Sequence, residues 1–243
     1  MSVNVAAPLV PPEECFQLRG QGFHLRPIRA DDKPALLEAF ERLSPQSRYR
    51  RFCYPKKALS PEELRFFTEV DGRDHHALTA FALSGYGHES ELAAVARYYR
   101  LAPGSDVAEA AVVVIDEFHG RGLARLLLAR LALVALRNGV RRFRFYFLAE
   151  NTRMRLLIAQ PCWRVSFRNK GTLVAAECPL VDMLGLPEPV AADTPLGELL
   201  GLIGSGGVAA PLTLSLATAQ LWWEGVRHSL DLLEDRPRLQ PPH

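Results

Sequence analysis

The stretch from Val107 to Arg137 constrains the fold of this chain more than any other. It begins with a β-branched apolar run, Ala110 to Ile115, which predicts a buried strand. After a polar break, the sequence HGRGLA (His119 to Ala124) leads into a long segment rich in Leu, Ala and Arg that predicts a helix. A strand, a glycine turn and a helix in this order direct backbone N–H groups and the positive end of the helix dipole toward one point. The stretch therefore predicts an anion site suited to phosphate.

The turn by itself is a weak signal for phosphate. It lacks the lysine of a nucleotide P-loop and does not match GxGxxG, and an ordinary tight turn has the same composition. Gly120 and Gly122 fit the phosphate interpretation because a side chain at either position would keep a pyrophosphate away from the backbone. The rest of the sequence has to decide between the two interpretations.

Composition limits the classes of function. The chain has 243 residues, of which 48% are hydrophobic, enough for one sizeable core and some additional chain. With 29 basic and 27 acidic residues the formal charge is +2, so we expect neither nucleic acid nor membrane as a partner. The N-terminus lacks a signal-peptide pattern and no apolar run reaches membrane-spanning length, which predicts a cytoplasmic protein. The cysteines have no CxxC spacing and predict free thiols and no metal site: Cys15, Cys53, Cys162 and Cys178.

The hydrophobic pattern predicts an α/β domain over residues 21–180, with a mixed central β-sheet flanked by helices. Residues 1–20 are aperiodic and predict a tail. The ligand of such a sheet is expected at the carboxyl end of the central strand. Predicted strands cover 23–28, 76–83, 92–101, 110–115, 141–149, 163–167 and 172–178, and predicted helices cover 30–43, 47–52, 60–70, the segment after Gly122, and 151–160.

A different composition follows the domain. Residues 181–211 are rich in Gly, Pro and Ala and predict a linker. Residues 212–236 predict an amphipathic C-terminal helix, whose apolar residues alternate at spacings of four and three: Leu212, Leu216, Ala219, Trp223, Val226, Leu230 and Leu233. The pattern leaves two interpretations open, docking on the helix's own domain or packing against a second subunit in a homodimer.

Several segments together carry a family resemblance. They are LSPQSRYRRF at 43–52, Val70-Asp71, AVARYYR at 94–100, AEAAVVVIDEFHGRGLARLLL at 108–128, and LAEN with Met154 at 148–154. In this order and spacing, over roughly residues 23–178, the sequence resembles the GNAT family of acyl-CoA-dependent N-acetyltransferases. The similarity is greatest to the catalytic domains of bacterial protein-lysine acetyltransferases.

The resemblance implies a binding site for acetyl-CoA as co-substrate. The central strand would pair with the pantetheine arm, the glycine turn would cradle the pyrophosphate with nearby arginines, and Asn151 would hold the pantetheine with Met154 packed beneath it. The coenzyme-binding residues expected on this basis are Val113, Val114, Ile115, His119, Gly120, Arg121, Gly122, Leu123, Ala124, Arg125, Asn151 and Met154.

Glu109 is the expected catalytic residue. A carboxylate in an apolar strand costs free energy unless it is paired or has a function. Acetyl transfer needs a neutral amine, and a carboxylate at this position can accept the proton that the amine loses. The resemblance assigns the general base to Glu109, whereas the alternative is a structural carboxylate paired with an arginine such as Arg97. Direct attack by the amine needs no acyl-enzyme, so Cys162 is expected to be a packing residue, and backbone N–H groups of the central strand would stabilise the oxyanion.

The sequence departs from the family pattern at three places. His119 stands where the family usually has Gln or Arg, and Ile158 occupies the position of the tyrosine that many members use as general acid. Pro161-Cys162-Trp163 replaces the usual Gly-Phe after the last helix. The first change leaves a backbone cradle possible, and the second leaves the group that protonates the departing thiolate unassigned.

The remaining candidate features have ordinary explanations beside functional ones. The arginines of SRYRRF (47–52) either shape the acceptor site or form a solvated helix face. His75-His76 is expected at the surface or a strand edge rather than in a metal site. Arg141-Arg142 with the interleaved phenylalanines fits a core face better than RNA stacking.

The leading functional hypothesis is acetyl transfer from acetyl-CoA to a primary amine, with a lysine side chain of a protein as the first choice of acceptor. The alternatives are transfer to a small-molecule amine and a non-catalytic acyl-CoA-binding module. The family's acceptor site corresponds here to residues 43–56 and the hairpin near Gly85. An open groove with acidic walls would favour a protein acceptor, and an enclosed pocket would favour a metabolite.

Overall fold

A computed structural model of the protein describes residues 13–159 and 164–183. The strands in this part are β1 Glu14–Leu18, β2 Gln21–Pro27, β3 His75–Leu83, β4 Glu89–Arg100, β5 Val107–Val114, β6 Arg142–Leu148, β7 Ser166–Lys170 and β8 Leu173–Pro179. The helices are α1 Lys33–Arg42, α2 Pro45–Phe52, α3 Pro61–Thr68, α4 Leu123–Arg137, α5 Thr152–Ile158 and α6 Leu180–Met183. The predicted C-terminal helix, most of the predicted linker and Cys162 lie outside the described residues.

The described strands form one sheet in the order β1-β2-β3-β4-β5-β6-β8-β7. Neighbouring strands are antiparallel except β5 and β6, which are parallel. The predicted mixed sheet flanked by helices is therefore confirmed. None of the helices in this part of the chain is long and apolar enough to span a bilayer.

The N-terminal boundary of the domain differs from the expectation. Glu14–Leu18, placed by the sequence in a tail, is a strand that pairs with β2, and the ring of Phe16 stacks on that of Phe23 at 5.6 Å. Glu14 also accepts a hydrogen bond from Arg130 at 2.7 Å. An edge strand is short and only half buried, so its alternation is too weak to stand out in a sequence. At the other end, α6 extends the domain to Met183, slightly past the predicted limit at residue 180.

Local sequence signals set where the helices begin. The predicted capping box of α3 is present, since Ser60 Oγ accepts from Glu63 N at 3.2 Å and Glu63 Oε2 accepts from Ser60 N at 2.8 Å. Pro61 occupies the first helical position, where its missing N–H is not needed. These contacts place α3 with Phe67 toward the sheet, next to the site described below.

The two faces of the sheet have different helices. Side chains alternate along a strand, so Glu109, Ala111 and Val113 of β5 share one face. Residues of α1, α2 and α3 line a common cavity with Ala111 and Val113, which places these helices on that face. Helix α4 covers the other face, where Asn138 donates a hydrogen bond to the Tyr98 hydroxyl at 2.7 Å.

The pairing of the central strands ends early. β5 and β6 are in register only from Val107↔Arg142 to Glu109↔Arg144, although β5 runs on to Val114 and β6 to Leu148. Beyond Glu109 the sheet therefore opens into a gap at the carboxyl ends of the two parallel strands, where the sequence predicted a ligand.

The histidine pair is not at a strand edge as expected. His75 and His76 lie in β3, in the interior of the sheet, and His76 is buried. The His75 ring lies 4.6 Å from that of Phe66. Burial, and then the charge of Arg97, lowers the pKa of His75 to about 4. Within residues 13–159 and 164–183 no cluster of His, Cys, Asp or Glu has the arrangement of a metal site.

The depressed pKa of His75 predicts a pH dependence of stability. Between the unfolded value of 6.5 and the native value of about 4, the unfolded chain binds a proton that the native protein does not, so stability falls as the pH decreases through this range. After allowance for solvent screening, we expect the decline to be about 1 to 2 kcal/mol smaller in His75→Phe than in wild type. Urea unfolding at pH 6.5 and 4.5 measures the decline in stability of both proteins. Equal declines would refute the lowered pKa of His75 as its cause.

Candidate functional site

The gap between β5 and β6 opens into a cavity of about 660 Å³, called the larger cavity below. This is within the size range of small-molecule sites. The residues that line it are Ser47, Arg50, Arg51, Val112, Val113, Val114, Phe118, His119, Gly120, Gly122, Leu123, Ala124, Arg125, Asn151, Arg153, Met154, Leu156 and Leu157. The residues come from α2, β5, the glycine turn, the start of α4 and α5, so the larger cavity is where these elements converge.

The glycine turn contributes a run of available backbone donors. Gly120 and Gly122 have φ of 71° and 92°, in the left-handed region that favours glycine. In the described part of the chain, the N–H groups from Gly120 to Arg125 have no hydrogen-bond acceptor, and the first bond of α4 is Leu126 N to Gly122 O at 3.1 Å. Such a run at a helix N-terminus binds anions. The arrangement has the donor set that the sequence predicted for a phosphate.

His119 joins three elements through its side chain. Its Nε2 lies 2.9 Å from the Val114 carbonyl oxygen, and its Nδ1 lies 3.1 Å from Nη1 of Arg153. A carbonyl only accepts and a guanidinium only donates, so Nε2 carries the proton and Nδ1 accepts. The histidine that departs from the family pattern therefore connects the end of β5, the turn and α5 at the edge of the larger cavity. Nothing in the sequence pattern indicated Arg153 as its partner.

Asp116 fixes the position of α2 over β5. Its carboxylate accepts from Ser44 N at 2.9 Å and from the Ser47 hydroxyl at 2.6 Å. Burial alone would raise the pKa of Asp116, but the hydrogen bonds from Ser44 and Ser47 outweigh burial and lower it. The ionised carboxylate therefore anchors the start of α2 to the segment that follows β5.

This anchoring brings the arginines of SRYRRF to the site. Arg50 and Arg51 line the larger cavity, which favours the site interpretation of this segment over a solvated helix face. The Nε of Arg50 is buried and has no hydrogen-bond partner among the residues that the structure describes. Buried polar groups normally have a partner, so this N–H is available to a ligand.

Asn151 and Met154 lie on the opposite wall. Asn151 Oδ1 accepts from Met154 N at 3.1 Å and so caps α5, and both residues line the larger cavity. Ile158 of the same helix is completely buried, in keeping with the apolar residue expected in place of a tyrosine. Pro161, Cys162 and Trp163 lie outside the described residues.

Two of the expected coenzyme-binding residues do not line the larger cavity. Ile115 is buried and its N–H is bonded to Ala93 O at 2.9 Å. The guanidinium of Arg121 lies over the ring of Phe118, 5.4 Å from its centroid. The strand turns inward at Ile115 as the chain enters a short 3-10 turn, which directs this side chain to the core. The remaining ten expected residues, from Val113 to Met154 along the chain, surround the cavity.

Glu109 lies where the parallel pairing of β5 and β6 ends. It is half-buried, and no ion pair joins it to any basic residue in the described part of the chain. The alternative of a pair with Arg97 is not realised, because Arg97 donates to the carbonyl oxygen of Phe67 at 3.0 Å. Arg144, opposite Glu109 in β6, is paired with Glu177 at 2.8 Å. The carboxylate of Glu109 therefore has no strong partner of its own.

Tyr99 is the neighbour of Glu109 that sequence reasoning missed. The two residues are paired across β4 and β5, so their side chains share one face of the sheet. Burial raises the pKa of Tyr99, and a hydrogen bond with Glu109 raises it further. The phenol therefore stays protonated and can donate to the carboxylate. Only the register of β4 against β5 could have revealed this neighbour.

A smaller cavity of about 50 Å³ lies on the same face of the sheet as Glu109. Its lining is mostly apolar, from α1, α2, α3 and the central strands, but it includes Arg51 and Arg97. Arg51 and Val113 line both cavities. The smaller cavity is therefore next to the larger one and is separated from it by these two side chains.

Comparison with known proteins gives consistent matches. A family model described as the acetyltransferase (GNAT) family matches residues 36–162, more than half of the chain. The acetyltransferase Pat of Mycolicibacterium smegmatis is 33% identical over 144 residues, and acetyltransferase PA5475 of Pseudomonas aeruginosa is 31% identical over 136 residues. The crystal structure of the GNAT domain of S. lividans PAT is similar at a TM-score of 0.61 and 32% identity, over 69% of this chain and 96% of that chain.

The two relatives differ in how much of their length the match includes. The aligned region is 57% of this chain but 40% of the M. smegmatis protein, and 56% of this chain and 72% of the P. aeruginosa protein. The chain thus spans less than half of the first relative. The family match over residues 36–162 includes the central strand, the glycine turn and α4.

The bridge made by His119 predicts how substitutions change stability. A glutamine amide also offers one donor and one acceptor, so His119→Gln should keep the free energy of unfolding within about 0.5 kcal/mol of wild type. His119→Ala leaves Val114 O and Arg153 without this partner and should lower it by about 1 kcal/mol. Urea unfolding compares the three proteins, and a glutamine variant as unstable as the alanine variant would contradict the bridge.

Proposed function

The chain belongs to the GNAT acetyltransferase family, and from this premise we propose that it transfers an acetyl group from acetyl-CoA to a protein lysine side chain. The fold is that of the family, a mixed sheet flanked by helices, and the protein is an N-acetyltransferase. The observation that carries the proposal is the run of unpaired N–H groups from Gly120 to Arg125, at a cavity close to Glu109, a carboxylate that no ion pair in the described part of the chain neutralises.

The size of the larger cavity and the polar groups that line it support acetyl-CoA as the proposed co-substrate. The N–H groups of the glycine turn and the guanidinium of Arg125 would hold the pyrophosphate. The β6-facing edge of β5 at Val113 and Val114 would pair with the amides of the pantetheine, because β6 has diverged and leaves that edge open. Asn151 and Met154 would complete the wall around the arm.

In the proposed mechanism Glu109 is the general base. It takes a proton from the acceptor ammonium, directly or through a water, and the neutral nitrogen attacks the thioester carbonyl. A C–N bond forms and the C–S bond breaks. The attacking nitrogen then loses its remaining extra proton to solvent, and the departing thiolate gains one from solvent or another group, so the products are an N-acetylated amine and the coenzyme thiol. Backbone N–H groups of β5 would stabilise the oxyanion. Tyr99 would orient the carboxylate by donating to it.

A protein lysine is supported as acceptor by the surface around Tyr99. Phe66 lies 6.2 Å from the Tyr99 ring and is 49% exposed, and Tyr146 of β6 is 43% exposed. Exposed rings beside the base offer a surface on which the aliphatic stem of a lysine can pack while its amine reaches Glu109. An open approach of this kind suits a side chain presented by another protein.

A small-molecule amine is the second candidate, and a specific observation favours it. The walls contributed by α2 are basic at Arg50 and Arg51, not acidic, and the smaller cavity is enclosed by apolar side chains. A compact acceptor that carries its own negative charge would suit such walls. The third interpretation, a module that binds acyl-CoA without catalysis, loses support because the chain belongs to a family of enzymes. A cytoplasmic location and a homodimer through the C-terminal helix stay predictions.

The role of Glu109 predicts a specific defect in Glu109→Gln. The variant should bind acetyl-CoA with the affinity of wild type, because Glu109 does not line the larger cavity. Its kcat should fall by about 10²- to 10⁴-fold, the usual contribution of a general base. Calorimetric titration with acetyl-CoA and thiol release with a library of lysine peptides and small amines measure the two quantities. Glu38→Gln, an exposed change of the same kind on α1, serves as the control.

The outcomes separate the candidates. Transfer to peptides supports the lysine acceptor, and transfer only to small amines supports the second candidate. Equal turnover by wild type and Glu109→Gln would reject Glu109 as the base, and binding without turnover on any amine would reject the proposed activity.

The glycine turn predicts a second, independent defect. A Cβ at Gly120 meets no atom within 4 Å, so Gly120→Ala would introduce backbone strain and place a methyl group in open space at the donor run. Gly104 has φ of 72° and equally open surroundings but lies in the β4–β5 loop, away from the larger cavity. Both alanine variants should lose about 1 kcal/mol of stability. Only Gly120→Ala should lose about tenfold or more in acetyl-CoA affinity by calorimetry, and equal affinities would reject the turn as the pyrophosphate site.

A further inference from the structure

Two guanidinium groups lie on the same face of the sheet as Glu109. Arg97 of β4 is paired in register with Ala111, and Arg51 reaches the same face from the end of α2. Both line the smaller cavity, and Arg51 also lines the larger one. The charge of Arg51 contributes to the lowered pKa of Arg97, which indicates that the two groups are close to each other.

Aromatic rings hold both groups in place. The Cζ of Arg97 lies 4.5 Å from the centroid of Phe67, whose carbonyl oxygen also accepts from its Nη1 at 3.0 Å. The Cζ of Arg51 lies 5.2 Å from the centroid of Phe52. A guanidinium stacked on a ring keeps its edge N–H groups available, and this edge is the part that binds carboxylates in a bidentate manner.

Neither guanidinium has a carboxylate partner in the part of the chain that the structure describes. No Asp or Glu forms an ion pair with Arg51 or Arg97, whereas the nearby Arg144 is paired with Glu177 at 2.8 Å. Burial, and then the charge of Arg51, lowers the pKa of Arg97 to about 9. Burial also lowers the pKa of Arg51, and the charge of Glu109 opposes this effect from beyond ion-pair distance. Guanidinium groups keep their proton in proteins, so two positive charges face the single negative charge of Glu109.

This excess of positive charge is difficult to explain by stability alone. A buried charge without a counter-ion destabilises a fold, and hydrophobic residues of similar volume are often neutral or stabilising in its place. The smaller cavity is otherwise apolar, so methionine or leucine side chains would pack there without the charge. One further anion would balance the two guanidinium groups.

We propose that Arg51 and Arg97 form a subsite for a substrate carboxylate beside the acetyl-transfer centre. The proposal rests on the proposed function and specifies the substrate class of that site. The smaller cavity, at about 50 Å³, has room for only a few non-hydrogen atoms, which matches a carboxymethyl group. The carboxylate belongs either to an acyl group that ends in one, as in malonyl-CoA, or to the acceptor next to its amine. It stays ionised and takes no part in bond making.

The experiment measures binding in two arms with wild type, Arg51→Met and Arg97→Met. Arg65→Met is the matched control, because Arg65 is on α3 with its side chain 56% exposed. In the donor arm, calorimetry compares malonyl-CoA with acetyl-CoA. In the acceptor arm, the protein loaded with coenzyme A is titrated with lysine peptides that differ only in Glu or Gln beside the lysine. Thermal unfolding of each variant verifies that it folds. If Arg97→Met does not fold, Arg51→Met alone still tests the subsite.

In one arm, wild type and Arg65→Met are expected to bind the ligand with the carboxylate about tenfold or more tightly than its partner ligand. In Arg51→Met and Arg97→Met the ratio of the two affinities should fall toward one. A preference in the donor arm assigns the carboxylate to the acyl group, and one in the acceptor arm assigns it to the acceptor. Equal binding of both members of each pair, or a preference that the two variants retain, overturns the subsite and leaves the proposed function intact. Absence of binding by either thioester overturns both proposals. A donor preference that depends on Arg51, without turnover on any amine, supports the subsite and contradicts only the proposed function.

Discussion

The early end of the parallel pairing between β5 and β6 is the constraint on which the rest of the site depends. β5 continues to Val114 and β6 to Leu148, but their pairing stops at Glu109. Backbone groups at an open strand edge need a partner, and an unprotected edge is normally covered or shortened. Here the open edge of β5 forms part of the wall of the larger cavity. A ligand with its own amide groups can therefore pair with β5 where β6 no longer does. The same divergence leaves Glu109 at the apex of the gap, where the acceptor and the thioester would meet.

The availability of Glu109 follows from how its basic neighbours are used. Arg144 is neutralised by Glu177, and Arg97 is held by the ring and carbonyl of Phe67. A direct ion pair with Glu109 would have stabilised the charged form and made it a poorer base. The arrangement instead leaves uncompensated positive charge at the site, which is a cost in stability at a place where a ligand can remove it. The charge pattern is thus better explained by binding than by folding.

Sequence reasoning predicted the parts of the site that are local in the chain. The strand, the glycine turn and α4 are contiguous, so their order alone indicated an anion site. The family resemblance supplied the expected coenzyme-binding residues, ten of which line the larger cavity. Tyr99 could not be found this way, because its position beside Glu109 depends on the register of β4. The proximity of Arg51 to Arg97 depends on how α2 packs on the sheet. His76 was expected at the surface or a strand edge, whereas its burial is decided by the position of β3 within the sheet.

Asp116 lies in a segment that was predicted from local sequence, but its role depends on tertiary packing. It lies in the predicted break after β5, where its own pattern gave it no role, yet its hydrogen bonds to Ser44 and Ser47 determine where α2 sits. Through α2 it determines where Arg51 meets both cavities. The glycine turn and the α2 side of the site are therefore linked by one ionised carboxylate. Because Arg51 and Val113 line both cavities, a change in the position of α2 would alter the larger and the smaller cavity together rather than one alone.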